Sequence, residues 1–135
     1  MQMVLHDREG IAVAYCDDGT NIFLFSGQPV AYMDADAVYS YKGEQLGWYD
    51  LGWLRDKDGR CIAFSTDAGA GAQKPPRRPE PYRATKQPLP TSERRDPRAL
   101  HPMYSNAWAL QGATDFFARS PLRWPGNIGD SVGGK

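Results

Sequence analysis

Gly43-Glu44-Gln45-Leu46-Gly47-Trp48 is written, with variations, four times in the first half of a 135-residue chain. The other copies are Gly10-Ile11-Ala12-Val13-Ala14-Tyr15, Gly27-Gln28-Pro29-Val30-Ala31-Tyr32 and Gly59-Arg60-Cys61-Ile62-Ala63-Phe64. Each runs glycine, two variable residues, a branched aliphatic, Ala or Gly, then an aromatic. The glycines stand 17, 16 and 16 residues apart, and a fixed period marks repeated supersecondary units.

Each copy follows a short segment rich in β-branched and aromatic residues, such as Ile22-Phe23-Leu24-Phe25 and Val38-Tyr39-Ser40-Tyr41. These segments have strand composition. The glycine then supplies a turn with positive φ, as in Asp58-Gly59 and Ser26-Gly27, and the aliphatic and aromatic residues belong to a return strand. Alternation places Ala14, Ala31, Gly47 and Ala63 on the face opposite their large neighbours. Four small residues at equivalent places predict the crowded side of a pseudo-fourfold arrangement, with Tyr15, Tyr32, Trp48 and Phe64 mainly in the core. Asp- and Gly-rich links such as Asp17-Asp18-Gly19-Thr20 set successive hairpins side by side. The expected fold is mainly β: four hairpins in a flower-like or ring arrangement, then an extended tail and a short C-terminal helix.

The run from Gly27 to Phe64, GQPVAYMDADAVYSYKGEQLGWYDLGWLRDKDGRCIAF, resembles the bacterial four-fold β-flower domain family. The likeness covers the first half of the chain and extends to a basic, Pro-rich tail ending in Trp108 and Phe116-Phe117. It implies four hairpins about a pseudo-fourfold axis and carries no catalytic residue with it.

Composition divides the chain at the same boundary. Residues 1–68 carry 5 Lys and Arg against 11 Asp and Glu, a balance of −6, and residues 69–135 carry 11 against 5, a balance of +6. Pro29 is the single proline before residue 75, and ten follow. The division expected is a hairpin domain over 1–68, an extended Pro/Arg-rich linker over 69–104, and a short helix with its C-terminal extension over 105–135. Residues 73–98 hold seven prolines and eight basic residues, a composition that favours extended polyproline-like geometry. Such a stretch is a spacer, or it attaches electrostatically to the acidic hairpins or to phosphate through Arg77, Arg78, Arg83, Arg94 and Arg95.

From Asn106 to Arg119, Leu110, Ala113 and Phe117 fall on one face of a helix flanked by Ala109 and Phe116, with Ser105 or Asn106 as its cap. A helix so short must dock to persist. Either it covers the hairpins, its own or another subunit's, or Trp108, Leu110, Phe116 and Phe117 form a motif for a separate partner.

Chemistry is sparse. His6 and His101 are the two histidines, and the paired acids Asp17-Asp18, Asp34 with Asp36, and Asp56 with Asp58 are accounted for by turns. No nucleophile elbow, phosphate-binding loop or dinucleotide fingerprint is present. Cys16 and Cys61 lack zinc-like spacing and read as free thiols. No cofactor or metal is expected. The N-terminal residues show no secretory pattern, and no stretch reaches the roughly 20 apolar residues of a membrane span, so a cytoplasmic protein without membrane contact is expected. Two function classes stay open: a non-enzymatic interaction or structural module whose tail engages a protein partner or its own subunits, and non-specific nucleic-acid binding through the basic tail. A small-ligand enzyme at the mouth of the ring is a weaker third.

Overall fold

The computed structural model describes residues 2–118. Eight antiparallel strands close into a barrel in sequence order: β1 (Met3–His6), β2 (Ala12–Cys16), β3 (Asn21–Leu24), β4 (Pro29–Asp34), β5 (Ala37–Tyr39), β6 (Gln45–Asp50), β7 (Trp53–Asp56) and β8 (Cys61–Phe64). A short helix, α1 (Ala113–Phe117), follows. The four-hairpin fold read from the repeat thus holds. The four repeat glycines sit in the four hairpin turns with φ between 81° and 93°.

Every hairpin carries the same irregularity. Leu5 pairs with Ala14 and His6 with Ala12, which skips Val13. Val30, Leu46 and Ile62 are skipped in the same way in the other three hairpins. The extra residue is a β-bulge, which breaks the two-residue alternation locally. The repeat's aliphatic and the small residue after it therefore share one core, as Val30 with Ala31 and Ile62 with Ala63 do. This corrects the strict alternation expected from sequence: only the aromatic lies opposite the small residue.

The interior is aliphatic. Leu5 faces Ala14, Ile22 faces Ala31, Val38 faces Gly47 and Leu54 faces Ala63. At Gly47 even a Cβ is excluded, since it would strike the backbone carbonyl of Arg55 on the neighbouring strand. Ala14, Ala31 and Ala63 belong to the interior cluster.

The aromatics form separate outer clusters: Tyr15 with Phe23 and Phe25, Trp48 with Tyr39 and Tyr32, and Phe64 with Trp53 and Trp108. Tyr15, Trp48 and Phe64 are buried there, while Tyr32 is partly so. Aromatic pairs at such spacing add about 0.5–1.5 kcal/mol each beyond area burial. A barrel of this size encloses only its aliphatic side chains, so the outer clusters need a cover of their own.

The helix is shorter than the spacing predicts, and its N-cap is Gly112, not Ser105 or Asn106. The reason is that residues 105–109 spend their backbone on the fourth hairpin. Ser105 N–H donates to Gly59 (3.1 Å), Cys61 N–H to Ala107 (2.9 Å) and Ala109 N–H to Cys61 (2.9 Å). Ala113, Phe116 and Phe117 then pack into the barrel core, whereas Leu110 is 98% exposed. Arg119 and the C-terminal extension lie outside the described residues.

Candidate functional site: the strap and the seam

Residues 74–109 do not stand apart from the hairpins. They run around the barrel as an extended strap, crossing the four glycine turns in chain order. Arg78 N–H donates to Gly10 (2.8 Å), Gln87 to Gly27 (2.8 Å), Asp96 to Gly43 (2.8 Å) and Ser105 to Gly59 (3.1 Å). The donors are nine residues apart. Contacts two residues earlier keep the same step: a Cβ on Gly10, Gly27, Gly43 or Gly59 would collide with the carbonyls of Pro76, Thr85, Arg94 and Met103 in turn. The glycines are therefore fixed twice, by positive φ and by the approach of the strap backbone.

Side chains follow the same register. Lys86 Nζ lies 2.6 Å from Asp17 Oδ1 and Arg95 Nη1 lies 2.7 Å from Asp34 Oδ2. Tyr104 Oη donates to Asp50 Oδ2 at 3.1 Å, and Arg77 Nη1 to Thr66 Oγ1 at 2.8 Å. Donors spaced by nine thus meet acceptors spaced by 16 or 17. Arg98 adds bonds to Asp34 and Asp36, and His101 Nε2 lies 2.7 Å from Asp36 Oδ2. Over the outer aromatics, the Arg83 guanidinium sits 4.1 Å from the Tyr15 ring centre and Lys86 Nζ 4.7 Å from that of Phe23. The His101 ring stacks on Trp48 at 3.8 Å. These contacts supply the cover the aromatics need, with cation–π attraction as part of it. Burial first, and then the bond to Asp50, push the Tyr104 hydroxyl up to about 12.

The barrel closes at its weakest joint. β1 and β8 share one pair, His6 with Phe64. A cavity of about 430 Å³ opens beside it, lined by Val4, His6, Thr66, Arg77, Arg78, Pro79 and Glu80. A second of about 430 Å³ adjoins it across Val4 and Thr66, and Tyr49, Leu51 and Ser65 are among its walls. His6 is 4% exposed and its Nδ1 has no hydrogen-bond partner among the described residues. Burial, aided by the charge of Arg77, lowers the imidazole pKa below its usual 6.5, while a backbone bond with Arg78 and the charges of Glu80 and Asp7 act against this. Among the described residues, no three His, Cys, Asp or Glu side chains converge to hold a metal ion.

A family model for the 4-fold beta flower protein matches residues 3–117, hairpins, strap and helix together. The chain belongs to the four-fold β-flower family. Searches of curated proteins and of solved structures return no match. The match covers 74–109 as well, which agrees with a strap that is part of the flower.

The residues singled out in sequence fall in several places on this β-flower. Arg77, Arg83 and Arg95 face the hairpins through Thr66, Tyr15 and Asp34. Arg78 lines the seam cavity, and Arg94 presents its backbone carbonyl to Gly43. Trp108 packs on Trp53 and Phe64 and donates from Nε1 to Gln73 at 3.1 Å. Phe116 and Phe117 are core, and Leu110 is on the surface. Sequence reasoning passed over His6, Thr66 and Leu51 as a group. A readable trace existed in Arg77-Arg78-Pro79, Lys86-Gln87-Pro88 and Arg95-Asp96-Pro97, a basic residue two before proline every nine residues.

Proposed function

We propose that this β-flower is a non-enzymatic structural and protein-interaction module whose strap engages its own hairpins and whose outer surface engages a protein partner or a second copy. One observation carries the reading: the cations that would attract nucleic acid are occupied by Asp17, Asp34, Asp36 and the outer aromatic rings. Affinity for phosphate scales with the number of cations available to release counterions. Among the described residues of the strap, Lys74, Arg77, Arg78 and Arg94 have no carboxylate within 4.0 Å, but Lys74 is bonded to the Ala68 carbonyl and Arg77 to Thr66. The partner surface we favour lies on the last turn of the strap, where Leu100 and Met103 are 91% and 92% exposed. No helix among the described residues is long and apolar enough to cross a membrane, and a cytoplasmic setting suits the two buried free thiols.

Recovery of bound material from native lysate, with and without nuclease and at low and high salt, tests this. A protein partner kept through both treatments and lost in Leu100→Asp/Met103→Asp supports the module. Loss of all bound material on nuclease treatment returns the nucleic-acid reading.

A further inference from the structure

The four-fold register has one break. Asp17, Asp34 and Asp50 each meet the strap residue that crosses beside them, but the fourth equivalent position is Thr66. Arg77 therefore faces a hydroxyl where Lys86 and Arg95 face carboxylates. Among the described residues, no carboxylate lies within 4.0 Å of Arg77. The seam cavity opens at this place, and the almost fully buried His6 leaves Nδ1 without a partner beside it. Glu80 also lines the cavity, with its Oε1 3.2 Å from Arg83.

A second observation comes from the adjoining cavity. Leu51 holds φ at 53°, in the left-handed region, and its side chain is 74% exposed. Ala35, with φ 55°, takes the equivalent place after the second hairpin, so the conformation belongs to the two-residue link between strands. A bulky residue in this conformation is strained, and an exposed leucine contributes little to folding. At position 51 the link presents a large apolar side chain to the cavity, where its counterpart at 35 carries only a methyl group.

We propose that the seam binds a small carboxylic acid with an apolar body. The ligand's carboxylate takes the place of the missing aspartate, accepting hydrogen bonds from Arg77 and Thr66 in the cavity that contains His6. Its apolar body lies across Val4 toward Tyr49 and Leu51 in the neighbouring cavity. A carboxylate on an arginine makes charge-assisted bonds with defined geometry, and the second cavity gives room for a chain that an isolated ion would not fill.

The test is a titration of the full-length, isotope-labelled protein with hexanoate, followed by NMR, with hexanol and inorganic phosphate as parallel probes. Saturable shifts at Thr66, Arg77 and His6 with hexanoate, and not with hexanol, are expected. Thr66→Asp restores the internal carboxylate and should weaken hexanoate at least about tenfold, as should Arg77→Gln, since each removes a charge-assisted contact. Unchanged strap amide shifts in Thr66→Asp show that the fold is kept. Leu51→Asn should weaken hexanoate more than acetate. The proposal falls if hexanoate gives no saturable shift at these residues, if Thr66→Asp binds as the wild type does, or if phosphate alone saturates the site.

Discussion

Trp108 Nε1 donates to the carbonyl of Gln73 across 3.1 Å, joining the end of the strap to its beginning. The strap has by then crossed all four hairpin turns, so this bond closes a belt. Trp108 also packs edge-on against Trp53 and Phe64, so the closure rests on aromatic burial as well as on one hydrogen bond.

A belt that covers aromatic clusters is part of the fold's stability. The fragment 1–72 should therefore aggregate or bind a hydrophobic dye, since it exposes Tyr15, Trp48 and Phe64 together. Adding a 73–118 peptide should restore a cooperative unfolding transition. A 1–72 fragment that unfolds like the full chain would contradict the belt. In hydrogen exchange of the full chain, the amides of Arg78, Gln87 and Asp96 should be protected above their strap neighbours.

Gly27 and Gly19 separate two costs. Both have positive φ, 93° and 79°, but a Cβ on Gly27 meets the Thr85 carbonyl while one on Gly19 meets nothing within 4 Å. Gly19→Ala should cost about 1 kcal/mol from backbone strain alone. Gly27→Ala should cost about 3 kcal/mol or more, since the strap must also move. Urea unfolding of the two variants gives the difference, and equal costs would remove the strap from the account.

Asp34 accepts from both Arg95 and Arg98. These side chains are 37% to 45% exposed, so screening limits their worth. Asp34→Ala should destabilise by about 1 kcal/mol or less, and the loss should shrink in high salt. A double-mutant cycle with Arg95→Ala measures the pair itself.

His6 gives the fold a pH dependence with a definite sign. Burial holds its folded pKa below the usual 6.5, so below that pH the unfolded chain binds more protons than the folded one. Stability therefore falls as pH drops from about 7 through 6.5, and the loss levels off once the folded form also protonates. Phe23 and Tyr39 occupy the equivalent strand position in the next two hairpins. His6→Phe should thus fold and should flatten thermal stability over this window. An unchanged pH profile would place the titration elsewhere.

The four hairpins and their turns were legible in the sequence because turn glycines and strand periods are local properties of the chain. Gly10, Gly27, Gly43 and Gly59 announce themselves at steps of 17, 16 and 16 residues, and so do Ala14, Ala31, Gly47 and Ala63. The bulges at Val13, Val30, Leu46 and Ile62 were not legible, since a register shift is a relation between two strands. The nine-residue step of the strap has only a faint trace in composition, because its contacts are made largely by backbone amides that any residue except proline can supply. Which carboxylate each cation meets, and that Arg77 meets Thr66 beside a buried His6, was decided by tertiary structure alone. Closing eight strands into a ring brings the first and last together, and no local pattern encodes what stands on either side of that seam.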